Sequence, residues 1–260
     1  MRIETPRGDF EVTVTGSGGR PLVALHPLAL SGRVWDPMAS VLAGAGRHTV
    51  LAPDARGHGR SGWDRGPFSI ADLADDVAAI IERHGQGPAD VVGLSMGGST
   101  AILLAVRHPH LVRRLVLADT TADYGDDREA QWGERARKAV DVPRAKQVEF
   151  QVDRWFSPAF LDADPAEVQR VSDIFVATDS RAHAAACHAF AGLDAVGSLP
   201  EIKARTLVLV GRDDYATPPA MAEVLASAIP DATLTVLDDT RHLSLVERPD
   251  LWARIAAHLT

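Results

Sequence analysis

The sequence predicts an α/β protein, a mostly parallel twisted sheet with helices on both faces. Three observations carry that reading. Short apolar runs bounded by Gly, Pro or Asp alternate with longer stretches of helical periodicity. The rhythm stops once, between about residues 122 and 197, where helical patterns follow one another without a strand. The apolar run over 90–94 turns at once into Gly93-Leu94-Ser95-Met96-Gly97 and then an apolar helical stretch. A serine on so sharp a strand-to-helix turn is held in a strained backbone with its hydroxyl lifted clear of the sheet.

In chain order, strands are predicted near 10–15, 22–25, 49–52, 90–94, 112–118, 206–210 and 233–237. Between 70 and 84 the apolar residues Ile70, Leu73, Ala74, Val77, Ile80 and Ile81 follow the 3.6-residue period of an amphipathic helix. Further helices are predicted over 96–107, 218–229 and 249–259, with Pro218 and Pro249 where a first turn tolerates proline. The interruption divides into helical stretches at 128–140, 144–153, 165–177 and 181–192. These boundaries predict a core of residues 1–121 and 198–260 and a helical lid of residues 122–197. An insertion between two strands belongs over their carboxyl ends, where open α/β sheets bind ligands.

At 260 residues the chain suits one large domain with a substantial core. A net charge of −8 argues against a nucleic-acid surface, since no Lys/Arg run supplies a basic patch. The densest basic cluster, Arg135 to Lys138, reads as the solvated face of a helix. One cysteine, Cys187, cannot form an intramolecular disulfide and fits a reducing compartment. No stretch reaches the ~18 apolar residues of a membrane helix, and the first ten residues lack a signal-peptide core. The expectation is a soluble cytoplasmic protein with no nucleic-acid or membrane partner. No oligomeric state is assigned.

A serine hydroxyl needs a base, and the base needs an orienting anion. On such a sheet these follow in the order Ser, Asp or Glu, His. His242 fills the base position, in a loop after the last strand. Three aspartates can supply the acid: Asp213 and Asp214 after strand 206–210, and Asp119 after strand 112–118. His84, His108, His110 and His258 lie at helix ends. His183, Cys187 and His188 share a helical spacing that could hold a metal, but the chemistry gives a metal no task. No metal and no cofactor is expected. Two N–H donors should stabilise the oxyanion. One is Met96, at the start of the helix. The other is Leu28, because Pro27 has no N–H. Trp132 and Trp155 fall in the insertion, where they either line a pocket or pack on the core.

With these residues in place, the chain resembles the α/β-hydrolase fold family over essentially its whole length. Asp54-Ala55-Arg56-Gly57-His58-Gly59-Arg60-Ser61 is similar to that family's D-x-R-G-x-G-x-S turn, in which Arg56 braces the site. Gly211-x-x-Asp214-x-x-x-Pro218 is similar to its acid loop, which implies Asp214 as the acid. The family's lid follows its sixth strand. Within it, 3-oxoadipate enol-lactonases share Gly-Leu-Ser-Met-Gly-Gly, the Arg154 to Phe160 segment, Asp214 to Pro219 and His242 to Pro249. The resemblance implies a serine hydrolase acting on a small-molecule ester or lactone, with enol-lactone hydrolysis in aromatic catabolism as its narrowest form. Those enzymes carry glycine where this chain has Ala29. An anionic substrate would want a cation from Arg135, Arg137, Lys138 or Arg154, and Trp132, Trp155 and Arg154 are the expected substrate contacts. Carbon–carbon bond hydrolysis, perhydrolysis and a non-catalytic binding role are the competing functions.

Overall fold

The computed structural model describes residues 1–44 and 48–260. Its strands are β1 (Arg2–Thr5), β2 (Gly8–Thr15), β3 (Arg20–Leu25), β4 (His48–Pro53), β5 (Ala89–Leu94), β6 (Val112–Ala118), β7 (Arg205–Gly211) and β8 (Ala232–Leu237). They form one sheet in the order β1-β2-β4-β3-β5-β6-β7-β8. β2 pairs antiparallel with both β1 and β4, and every pairing from β4 through β8 is parallel. β4 and β5 are buried along their whole length. That follows from their near-continuous apolar sequence, which suits a strand covered by helices on both faces.

The helices are α1 (Asp36–Ala43), α2 (Ile70–His84), α3 (Met96–Arg107), α4 (Arg128–Asp141), α5 (Arg144–Trp155), α6 (Pro158–Ala163), α7 (Pro165–Ala177), α8 (Ser180–Ala191), α9 (Pro219–Ala228), α10 (Ser244–Glu247) and α11 (Leu251–Leu259). α2 shows why the strongest pattern gives the firmest element. Ser69 and Asp72 cap it reciprocally, Gly85 ends it with φ 76°, and its apolar stripe is buried. Bidentate pairing of Arg56 with Asp76 at 2.7 and 2.6 Å ties the 54–61 turn to this helix. Among the described residues, no helix is long and apolar enough to cross a membrane.

Several elements differ from the sequence reading. β1 was not expected. Of its four residues only Ile3 is apolar and only Ile3 is buried, so it carries almost no hydrophobic signal. α1 was missed too. So was α6, a six-residue helix that buries no side chain, so no stripe announces it. α9 begins at Pro219 with Pro218 as its cap, and α11 begins at Leu251, leaving Pro249 outside the helix. Arg135 also departs from the expected solvated face. Arg137 and Lys138 are exposed, but Arg135 is turned partly inward. The helices α4 to α8 all fall between β6 and β7 in the chain, and α4 and α5 share a cavity with Ser95, which follows β5.

Candidate active site

Ser95 stands at the corner between β5 and α3 with φ 54° and ψ −115°. A non-glycine residue pays about 1–3 kcal/mol for such a conformation, so neighbours must hold it there. The Ser95 N–H donates to the Ala118 carbonyl at 2.9 Å, and its own carbonyl accepts from Thr120 Oγ1 at 2.8 Å. A Cβ on Gly93 would stand 2.4 Å from the Gly97 carbonyl oxygen, and one on Gly97 would stand 2.1 Å from that of Leu25. Neither position can carry a side chain.

The three residues expected to converge do so. His242 Nε2 lies 2.9 Å from Ser95 Oγ, and His242 Nδ1 lies 2.8 Å from Asp214 Oδ2. A neutral imidazole fits both contacts by donating from Nδ1 and accepting the serine proton at Nε2. Asp214 also accepts from Thr217 Oγ1 at 2.8 Å and from the N–H groups of Ala216 and Thr217 at 2.8 and 3.1 Å. Burial alone would raise its carboxyl. The His242 contact and the Thr217 bonds reverse that and leave it below the ordinary carboxylate range. Burial works against the His242 imidazolium, but the Asp214 charge and hydrogen bond outweigh it, so this histidine sits above its ordinary value.

The other two carboxylates are elsewhere. Asp213 is exposed. Asp119 is wholly buried and does a different job. Its Oδ1 accepts from the Gly211 N–H and its Oδ2 from the Ser244 N–H, both at 3.0 Å. One carboxylate thus joins the loop that carries Asp214 to the loop that carries His242.

The 26–30 loop is fixed by two buried histidines whose role no local motif announced. His26 donates from Nδ1 to the Pro27 carbonyl at 2.8 Å and accepts the Ala55 N–H at Nε2, 2.9 Å away. His58 accepts the Ala29 N–H at 3.3 Å. Burial pulls these rings down to about 4 and about 3, so both stay neutral. Ala29 takes φ 60°, the left-handed geometry a glycine would adopt without strain. The amide N–H groups of Leu28 and Met96 find no protein acceptor among the described residues.

Ser95, Leu28 and His242 open onto a cavity of about 260 Å³. Trp132, Trp155 and Arg154 all line it. The tryptophans also pack: Trp132 stacks on Phe190 at 4.4 Å, and Trp155 meets Phe175 edge-on at 5.2 Å. Of the four candidate cations only Arg135 and Arg154 reach this cavity, while Lys138 pairs with Glu134 at 2.6 Å. Tyr124, Gln131, Gln151 and Tyr215 also line it and were not anticipated. Gln131 and Gln151 are placed by how α4 and α5 pack, and Tyr124 and Tyr215 by the loops before α4 and after β7, none of which a short motif encodes. His183 and Cys187 are buried in α8. Among the described residues no group of three His, Cys, Asp or Glu side chains could hold a metal ion.

A family model described as alpha/beta hydrolase fold matches residues 20–249. The 3-oxoadipate enol-lactonase 2 of Acinetobacter baylyi is 30% identical over 236 residues, covering 90% of this chain and 86% of that protein. The pimeloyl-[acyl-carrier protein] methyl ester esterase of Neisseria meningitidis is 32% identical over 214 residues, 79% of this chain and 80% of that one. The crystal structure of the enol-lactonase from Burkholderia xenovorans superposes with a TM-score of 0.93 at 30% identity, covering 100% of this chain and 99% of that one.

Proposed function

Because the chain belongs to the alpha/beta hydrolase fold family, we propose that it is a serine hydrolase cleaving a carboxylic ester or lactone through an acyl-enzyme. The observation that carries this reading is the run of contacts from Ser95 Oγ through His242 to Asp214, at 2.9 and 2.8 Å. Ser95 attacks the carbonyl carbon while His242 Nε2 takes its proton. Asp214 holds the resulting imidazolium, and His242 returns the proton to the leaving oxygen. Water then attacks the acyl carbon while giving a proton to His242, and His242 passes that proton to Ser95 Oγ as the acid leaves and the serine hydroxyl is restored. The Leu28 and Met96 N–H groups stabilise the oxyanion in both steps. Residues 122–197 serve as a lid over a core of 1–121 and 198–260.

Among esters and lactones, 3-oxoadipate enol-lactone in aromatic catabolism is the substrate best supported. Two named enol-lactonases are among the similar proteins. Arg135 and Arg154 reach the cavity where a carboxylate on such a lactone would sit. The single cysteine, Cys187, is buried and free, in keeping with a cytoplasmic enzyme.

The test compares wild type with Ser95→Ala on p-nitrophenyl acetate, on fluorophosphonate labelling, and on a panel of lactones and enol-lactones. Wild type should label and turn over. The variant should fold normally, fail to label and lose about 10⁴-fold or more in kcat. Near-wild-type hydrolysis by the variant would overturn the proposal. A preference for 3-oxoadipate enol-lactone by several orders of magnitude would fix the substrate.

A further inference from the structure

Leu28, which lines the cavity at Ser95, sits inside a tight turn. The Leu30 N–H donates to the Pro27 carbonyl at 3.2 Å and closes a β-turn over residues 27–30. Its third residue, Ala29, takes φ 60°, whereas Leu28 is not left-handed. That is the type II pattern, whose third position favours glycine. An alanine there is strained and stays left-handed only if its surroundings hold it. A change in φ at Ala29 must turn one of the two peptides that flank it, so both have to be held.

Both are. His58 donates from Nδ1 to the Arg56 carbonyl at 3.1 Å, which leaves Nε2 to accept the Ala29 N–H on the preceding peptide. Thr178, the residue that ends α7, donates from Oγ1 to the Ala29 carbonyl on the following peptide at 2.8 Å. The other acceptor in reach of that hydroxyl, the Ile174 carbonyl, is farther away at 3.3 Å. Ala29 and Thr178 are both buried, and no second donor reaches the Ala29 carbonyl among the described residues. One peptide earlier, His26 Nδ1 holds the Pro27 carbonyl. That carbonyl and the Leu28 N–H belong to one planar trans peptide, so fixing the oxygen aims the hydrogen the opposite way. Beyond the turn the chain is pinned again, by the Gly32 N–H on Asp54 at 2.8 Å. If Ala29 relaxes between these fixed ends, Leu28 has to move.

We infer that Thr178 is a positioning residue for the oxyanion donor: its hydroxyl keeps Ala29 left-handed and so keeps the Leu28 N–H aimed at the substrate's carbonyl oxygen. The inserted helices then supply part of the machinery that stabilises the transition state, in addition to lining the cavity. This inference rests on the hydrolase reading above.

The test removes the hydroxyl with Thr178→Val and reads p-nitrophenyl acetate hydrolysis beside inhibition by trifluoroacetophenone. The ketone's adduct with Ser95 Oγ carries an oxyanion while His242 holds the serine proton. In Thr178→Val, kcat should fall about tenfold with KM unchanged, a fraction of the 10²–10³ lost when an oxyanion donor is removed outright. The inhibition constant of the ketone should rise by the same factor. Thr178→Ser keeps the hydroxyl and should restore both to within about twofold. In an Ala29→Gly background, where the left-handed conformation carries no strain, Thr178→Val should cost only about twofold. A purely structural bond would lower stability alike in both backgrounds and leave kcat and ketone inhibition of the folded enzyme unmoved. That result would overturn the inference, as would a loss of equal size with alanine or glycine at position 29. Should the valine variant not fold, Thr178→Ala is read against the same criteria. Failure of wild type to turn over p-nitrophenyl acetate or to label Ser95 would instead defeat the hydrolase reading, so the two failures are distinguishable.

Discussion

Replacing Asp119 with Asn tests whether one buried carboxylate keeps the acid and base loops together. Asp119 directly follows β6 at φ 45°, a conformation that Asn tolerates as well as Asp, so the backbone is not perturbed. What changes is hydrogen bonding. Asp119 accepts from Gly211 N–H and Ser244 N–H with separate oxygens, each at 3.0 Å. Asn offers one oxygen, and its NH₂ must face the other N–H, donor against donor. Losing a charge-assisted bond and orphaning a buried N–H costs about 2–4 kcal/mol together. Burial and the neighbouring Asp214 charge push the Asp119 carboxyl up to about 8, while the two N–H groups favour its ionised form. Measurements at about pH 9 therefore compare Asn with the carboxylate. Urea unfolding should show the stability loss. Ester hydrolysis by the same preparation should show kcat falling about 10–100-fold, because a shift of about 1 Å between His242 and its partners is enough for that. A variant within about 0.5 kcal/mol and twofold in kcat would refute the clamp.

Two other predictions follow from backbone and burial. Arg65 is exposed with φ 67°. Arg65→Gly relieves about 1–2 kcal/mol of left-handed strain against a chain-entropy loss of about 0.5–1 kcal/mol, so the unfolding free energy from urea titration should rise by a net ~0.5–1 kcal/mol, and a fall would contradict it. His26 and His58 are held down to about 4 and about 3 by burial. The unfolded chain binds protons there from about pH 6.5 downward, so their contribution is complete above pH 6.5 and is lost as pH falls through the folded values. The loss should be on the order of 3 kcal/mol per ring between pH 6.5 and 4. Denaturant titrations across that window, with proton uptake on unfolding measured by calorimetry, check it, and flat stability would count against neutral buried rings.

What was legible in the sequence was whatever short-range pattern encodes. Ser95 is flanked by the glycines its turn demands, and His242 is placed by chain order after the last strand. Asp214 could not be told from Asp213 or Asp119 by position alone, because one residue of loop register decides which carboxylate faces inward. The family's acid-loop spacing pointed to Asp214, and that residue meets His242. Helix α2 was readable from its stripe and cap. β1 and α6 were not, because they bury one side chain and none. The partnership of His58 with Ala29 joins residues 29 positions apart through the interior, and the pocket faces of Gln131 and Gln151 follow from helix packing. No local composition carries either.

The inserted helices are stitched to both reactive loops. Where α7 ends, Thr178 Oγ1 donates to the Ala29 carbonyl at 2.8 Å. Where α5 ends, the Trp155 carbonyl accepts from Leu243 N–H at 3.0 Å, and Ser157 N–H donates to Glu247 at 3.2 Å. A chimaera that transplants this segment alone from a relative would sever seams on either side of the chemistry. Recombination that respects the architecture has to move the stretches around 26–30 and 241–247 along with it.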